Sequence, residues 1–450
     1  MFENQDTICA IATPSGEGAI STIRLSGPNA LEIVSKVFSK NVVSKGSHTA
    51  HFGTIHNKTK ELIDEVLITI FHEGKSYTGE ESAEISCHAS EFIQQGIIAA
   101  LVNQGCRIAN PGEFTQRAFL NGKLDLSQAE AVADLIASRS KSAHNIALKQ
   151  LRGGFSSELK QLREKLINFA SLVELELDFA EEDVEFADRT QLMNMVVEAL
   201  AYVNRLAKSF ELGNAIKEGV PVAIVGAPNT GKSTLLNQLL GDDRAIVSDI
   251  EGTTRDVIEE TLNIDGILFR LIDTAGIRET SGEIEAMGIE RSKQKIEQAN
   301  IVLCLGDGSD QGSVEETLKW SQELTNKHTS KSIIPVMNKM DLQANKLDAS
   351  QISAKDGKNM DELKSKLVEL VKGDFDLAAD TIVSNSRHHE ALVNTSEALQ
   401  KAKEGLETNV TGDFAAMDIR QAMFHLGSIT GDISSDDLLG NIFSKFCIGK

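Results

Sequence analysis

Residues 220–240 read VPVAIVGAPNTGKSTLLNQLL. The first seven, Val220 to Gly226, are a short β-branched apolar run of the kind that makes a buried strand, and the remainder carries helical periodicity. Strand, turn and helix in this order match Gly-x4-Gly-Lys-Ser at Gly226, Gly231, Lys232 and Ser233. Glycines let backbone N–H groups converge on a β-phosphate, and the helix N-terminus adds positive potential. Lys232 would neutralise β/γ charge and Ser233 would hold Mg²⁺, with Asn229, Thr230 and Thr234 lining the same loop.

The base is read further along the chain. NKMD, with Asn338, Lys339 and Asp341, follows the apolar run SIIPVM. A carboxylate at Asp341 accepts two hydrogen bonds from the N1 and N2 donors of guanine, a pair that adenine does not offer. A site of that kind rejects the wrong base by ~10⁴-fold or more. Ser353, Ala354 and Lys355 fall where a loop would reach guanine O6. Asp273, Thr274, Ala275 and Gly276 close the strand ILFRLI and would serve Mg²⁺ and the γ-phosphate. GTTRD, Gly252 to Asp256, supplies the switch threonine, Thr254 being the second expected Mg²⁺ ligand, and Ser248, Asp249, Ile250, Glu251 and Thr253 are expected to line the GTP site beside it. The expectation is therefore a multidomain α/β chain holding a Ras-like GTPase, residues 218–373.

One position departs from the Ras pattern. Ile277 stands where a water-orienting glutamine would be and offers no hydrogen bond. Arg278, Glu279, Glu283 and Glu285 lie just downstream, either as replacements or as a solvated acidic face. Asn229 offers a side-chain oxygen for a monovalent cation near the β/γ bridge, where positive charge is typically worth about 10³ to 10⁵ in rate.

Composition sets the outer limits. The chain is 41% hydrophobic and 25% charged, which is that of a soluble globular protein. Five scattered cysteines indicate neither a disulfide framework nor a zinc site, and no apolar run approaches the roughly 18 residues that span a bilayer. A cytoplasmic protein with no membrane partner is expected. With 66 acidic against 45 basic residues the net charge is −21, which argues against non-specific affinity for nucleic acid. If RNA is a substrate, a local basic patch or a partner must hold it.

Both flanks of the GTPase read as helical, residues 121–217 and 374–450, so the simple architecture is a GTPase inserted into one helical domain. Asp125 and Gln128 form a capping-box pattern at the start of the first flank. DFAEEDVEF reads as a solvated connection. Residues 1–120 differ: TICAIATP, AISTIRLSG and EVLITIF read as strands and GIIAALVN as a helix, giving an α+β domain. Cys87 and His88 are neighbours on a strand, so they should point to opposite faces. The terminal FCIGK has the outline of a C-a-a-X lipidation box, but Lys450 is a poor last residue and Gly449 a poor aliphatic. A solvent-exposed tail is the other simple reading.

Taken together, DTICAIATPSGEGAISTIRLSG, SYTGEESAEISCH, PGEFTQRAFLNGKLDLSQAEAVADLI, the GTPase motifs with GTTRD, and FCIGK resemble the tRNA modification GTPase MnmE (TrmE) family over the whole chain. The resemblance implies an N-terminal tetrahydrofolate-binding domain that also makes the chain a homodimer. It implies G domains that pair face to face with K⁺ held by Asn229, Ser248, Ile250 and Thr253, and Glu285 as the residue that positions water. A 5,10-methylenetetrahydrofolate or 5-formyltetrahydrofolate ligand would be held by Arg24, Glu84, Lys123 and Lys450. The tail then turns inward, with Cys447 a candidate nucleophile, because activating pyrimidine C5 usually needs attack at C6. The implied partner is the flavoprotein MnmG, bringing FAD, in a heterotetramer that places an aminomethyl or carboxymethylaminomethyl group on wobble uridine 34 of tRNA. A GTP-switched binding module, similar to ribosome-assembly GTPases, is the rival reading from another class.

Overall fold

In Leu62–Phe71, LIDEVLITIF, every second residue from Asp64 to Ile70 is buried, the period-two signature of a strand with one covered face. The computed structural model describes residues 6–14, 16, 18–178, 189–243, 260–272, 293–341, 349–377, 379–408 and 412–449. It divides into two units. One holds Met1–Ala133, Gln150–Ile167 and Met423–Lys450, and the other Asp134–Lys149 and Asn168–Ala422.

The first unit is built on six strands: β1 (Thr7–Ile11), β2 (Gly18–Ser26), β3 (Thr49–His56), β4 (Leu62–Phe71), β5 (Ser82–Ala89) and β6 (Cys106–Ile108). They lie in the order β3-β4-β5-β2-β1-β6, antiparallel except for β1 beside β6. Helices Ala30–Val37 and Glu91–Val102 cover one face, packing Leu31, Val34, Ile97 and Leu101 on Ile23, Leu25, Ile68 and Ile85. On the other face Phe52 and Leu67 are cross-strand partners, 58% and 43% exposed. The strand β3 went unread in the sequence because its polar residues mask the alternation, and of β5 only the Cys87–His88 end was read as strand. The capping box forms as read: Gln128 N donates to Asp125 Oδ1 and Asp125 N to Gln128 Oε1, both at 2.9 Å. The helical run behind it breaks in two, Leu126–Ala137 and Lys141–Leu151, because the Ser140 hydroxyl accepts from Ala143 N and starts a second helix.

The second unit carries β7 (Val220–Val225), β8 (Glu260–Ile264), β9 (Ile267–Leu271), β10 (Ile301–Asp307), β11 (Ser332–Asn338) and β12 (Ser350–Gln351), in the order β12-β11-β10-β7-β9-β8. All pairs are parallel except β8 with β9. Helices Lys232–Asp243, Gln311–Lys327 and Met360–Lys372 accompany the sheet, and Arg189–Lys208 packs with Ser386–Glu407 through pairs such as Ser396 Oγ to Asn204 Oδ1. In such a sheet, ligands bind where parallel strands end at their carboxyl termini. The motif loops after β7, β11 and β12 all fall at that edge.

Candidate functional site

The phosphate loop runs from Gly226 to Gly231 between β7 and the helix beginning at Lys232. Gly231 has φ 94, and a Cβ there would stand 2.2 Å from Asn338 Nδ2, so glycine is required twice over. Asn229 adopts φ 63, a left-handed conformation that asparagine tolerates, and is exposed. Thr230 is buried and its hydroxyl donates to Ala227 O at 3.0 Å. Lys232 bridges the loop, its Nζ donating to Gly226 O at 3.0 Å and Ala227 O at 2.8 Å. Burial, with Lys295 nearby, holds its ammonium below the ordinary lysine range. An anion in the loop would reverse that penalty. Ser233 sits in the first helical turn and Thr234 beside it is exposed.

Asn338 ties this loop to the base-reading loops. It is buried, its Nδ2 donates to Thr230 O at 3.0 Å, and its Oδ1 accepts from Ala354 N at 2.9 Å. One amide thus spans all three motifs. Asp341 is exposed and accepts from the buried Ser353 hydroxyl at 2.9 Å, which orients the carboxylate for a base edge. Lys339, at φ 64, pairs with Asp307 at 2.5 Å. Burial opposes the charge of Asp307, but bonds from Lys339 and Ser309 outweigh it and hold the carboxyl below its usual range. Lys355 is exposed beside Ala354. Ser248, Asp249, Ile250, Glu251, Gly252, Thr253, Thr254, Asp273, Thr274, Ala275, Gly276 and Glu285 lie outside the described residues. Of the expected cation ligands the described residues therefore include Ser233 and Asn229, both oxygen donors on the same loop, which suits Mg²⁺ and K⁺.

A second constellation lies in the first unit. Arg24 on β2 and Glu84 on β5 are register partners, joined at 2.9 Å from Nε and 2.8 Å from Nη2. The guanidinium lies 5.7 Å from the Tyr77 ring and 5.8 Å from the Phe114 ring. Its Nη1 donates to Gly449 O at 3.3 Å, so the C-terminal tail does turn inward. Tyr77 is fixed by a 2.9 Å hydrogen bond between its hydroxyl and Thr115, and burial raises its pKa against the opposing effects of Thr115 and Arg24. Lys123 Nζ donates to Gly74 O at 2.8 Å. Cys447 is exposed, and Lys450 lies outside the described residues.

PGEFTQRAF holds an ion network around the buried Glu113 and Arg117. Glu113 and Arg117 are one helical turn apart and 3.0 Å from each other. Arg107 reaches Glu113 at 2.6 Å and Asp6 at 2.7 Å, and Arg117 reaches Asp6 at 2.6 Å and Glu80 at 3.3 Å. Burial pushes the Glu113 carboxyl up, but Arg107, the Asn110 amide and Arg117 outweigh it and leave it below the usual range. The Glu-x-x-x-Arg spacing was the signal available. Cys87 and His88 face opposite ways as expected: Cys87 is buried, its thiol pushed up to about 11 by burial and Asp64, while His88 bonds Asp64 at 2.8 Å from an exposed position.

A mainly parallel sheet in this order, with a phosphate loop after its first strand and an Asn-Lys-x-Asp loop after β11, defines a P-loop GTP hydrolase. Comparison with known proteins narrows the class. The MnmE helical domain matches residues 126–447 and the GTP-binding protein TrmE N-terminus matches residues 7–123. Proteins named tRNA modification GTPase MnmE are 52% identical in Bacteroides fragilis over 469 residues (99% of this chain, 100% of the relative) and 52% identical in Cytophaga hutchinsonii over 454 (99% and 98%). The chain belongs to the MnmE (TrmE) family of tRNA modification GTPases. The solved G domain of the T. maritima FeoB iron transporter is 24% identical over 33% of this chain and 97% of that one, at a TM-score of 0.25, which is too low to add to the case. Among the described residues no helix is long and apolar enough to cross a membrane.

Proposed function

We propose that the chain works in the cytoplasm with a flavoprotein of the MnmG kind. It would place an aminomethyl or carboxymethylaminomethyl group on C5 of wobble uridine 34, using a tetrahydrofolate one-carbon unit, and GTP hydrolysis would drive turnover. The observation that carries this reading is the Arg24–Glu84 pair beneath the Gly449 carbonyl, between two aromatic rings. A carboxylate suits pterin N–H donors, and Lys123 and Lys450 suit the ligand's carboxylates. When bound, the folate supplies the one-carbon unit. Cys447, exposed on the adjoining tail, adds to uracil C6 so that C5 becomes nucleophilic.

In the GTPase, Lys232 and the loop amides hold the phosphates, Ser233 and Thr254 hold Mg²⁺, and Asp341 reads guanine. Glu285 positions water in the place left by Ile277, while Asn229, Ser248, Ile250 and Thr253 hold K⁺ as two G domains pair. The exposed Phe52–Leu67 pair, with Ile20 on the same unit 69% exposed, supports a homodimer formed through the N-terminal sheet. An acidic chain of net charge −21 leaves much of the RNA-binding surface to its partner.

Two measurements test the reading. Wobble uridines from cells lacking the protein should lose the added group by mass analysis. 5-Formyltetrahydrofolate should raise the melting temperature of the wild-type chain and not of Arg24→Ala. Intact modification in the deletion strain, with no folate shift and GTP-dependent co-sedimentation with ribosomal particles, would instead establish the binding-module reading.

A further inference from the structure

The tail meets the N-terminal unit through two glycines. Gly112, at φ 67, donates its N–H to Cys447 O at 3.3 Å, and a Cβ on it would stand 2.5 Å from Phe443 O and 3.0 Å from Phe446 Cβ. Gly449, at φ 94, is buried against β1, where a Cβ would stand 2.4 Å from Ile11 O and 3.0 Å from Ala12 Cα. Contacts that short leave no room for any side chain, and the nearest opposing atom at each glycine is a backbone carbonyl oxygen. Gly112 is itself anchored, because the backbone amide of Asn110, two residues before it, donates to the buried Glu113 at 2.8 Å within the ion network. Phe443 packs with Phe119, Leu126 and Leu439 and holds the helix before the tail in place. Between the two glycine contacts Cys447 and Ile448 stand exposed.

We infer that Gly112 and Gly449 form a two-point backbone clasp that presents Cys447 and sets the Gly449 carbonyl on Arg24, which makes both glycines positioning residues for the one-carbon chemistry. The inference rests on the reading of Cys447 and Arg24–Glu84 as that site. It assigns the Glu113 network a second consequence, since the carboxylate that organises the ions also fixes the loop on which the tail is seated. The clasp needs no side chain of its own.

The fold contains matched controls. For Gly112, Gly122 has nearly the same backbone, φ 66, and for Gly449, Gly105 at φ 108 is a close counterpart, each with nothing within 4 Å of its Cβ position. Gly122→Ala therefore carries the left-handed strain of Gly112→Ala without the collision. In the full-length chain, deuterium labelling of the tail amides around Cys447 should be about tenfold faster or more in Gly112→Ala than in Gly122→Ala, and likewise in Gly449→Ala over Gly105→Ala. The clasp variants should lower kcat for uridine modification while KM for tRNA and the GTPase rate stay at wild-type values. Gly449→Ala, on the other point of the clasp, keeps the test open if Gly112→Ala folds poorly. Equal labelling within each pair would overturn the clasp. Faster labelling with unchanged kcat, in a chain that Cys447→Ser inactivates, would overturn the positioning role. Full modification by Cys447→Ser would sink the underlying reading of the site and leave the labelling contrast intact.

Discussion

Removing the Asn338 side chain should loosen the whole nucleotide edge. Its amide makes two hydrogen bonds, to Thr230 O and from Ala354 N, and all three residues are buried. Leaving a buried backbone partner unsatisfied costs about 1–3 kcal/mol, so losing both in Asn338→Ala should cost about 2–6 kcal/mol, at the low end if water enters the gap. With an m-value of about 2 kcal/mol/M, the urea midpoint of this unit should fall by about 1–3 M. Trp320, the single tryptophan, packs against the core of the same unit and reports this unfolding by fluorescence. Asn338→Asp should cost at least as much, because it keeps the acceptor for Ala354 but sets an oxygen against Thr230 O. Both variants should bind guanine nucleotide more weakly, since the phosphate loop loses its tie to β11. A Trp320 transition that superposes on wild type, together with undiminished nucleotide affinity, would refute the view that this one amide holds three loops in register.

Lys232→Met should leave the nucleotide-free chain as stable as wild type or more so, because burial disfavours the ammonium, while GTP affinity falls about 10- to 100-fold; calorimetric titration and a thermal melt separate the two effects. The carboxyl of Glu113 is held below its usual range, so the stability it contributes is present above its unfolded pKa near about 4.3 and is lost as pH falls through the folded value. Glu113→Gln should therefore cost about 3–5 kcal/mol at pH 7, and urea midpoints followed by circular dichroism should converge with wild type in acid; a constant gap at every pH would remove the ion network from the stability of the first unit. Replacing K⁺ by Na⁺ should depress GTP hydrolysis strongly if Asn229 is a cation ligand, and equal rates in the two salts would dismiss that role.

What the sequence determined by itself was local. The phosphate loop from Gly226 to Ser233 and the capping box of Asp125 and Gln128 depend on residues a few positions apart, whose geometry the backbone dictates before any tertiary contact forms. Hydrophobic strands and amphipathic helices were legible for the same reason. The tertiary structure decided what distant residues do to one another. Asn338 read as part of base recognition, yet its amide is spent on Thr230 and Ala354, 108 and 16 positions away. Glu113 and Arg117 have a spacing that allows a pair, but only the fold brings Asp6 and Glu80 to Arg117. Gly112 and Gly449 lie within the PGEF and FCIGK stretches, yet nothing local showed why they must be glycine, because the atoms that forbid them a side chain belong to Phe443 and Ile11. Spacing along a chain specifies a turn or a helix face; which group fills the space beside a glycine or a buried charge is settled only when the chain has folded back on itself.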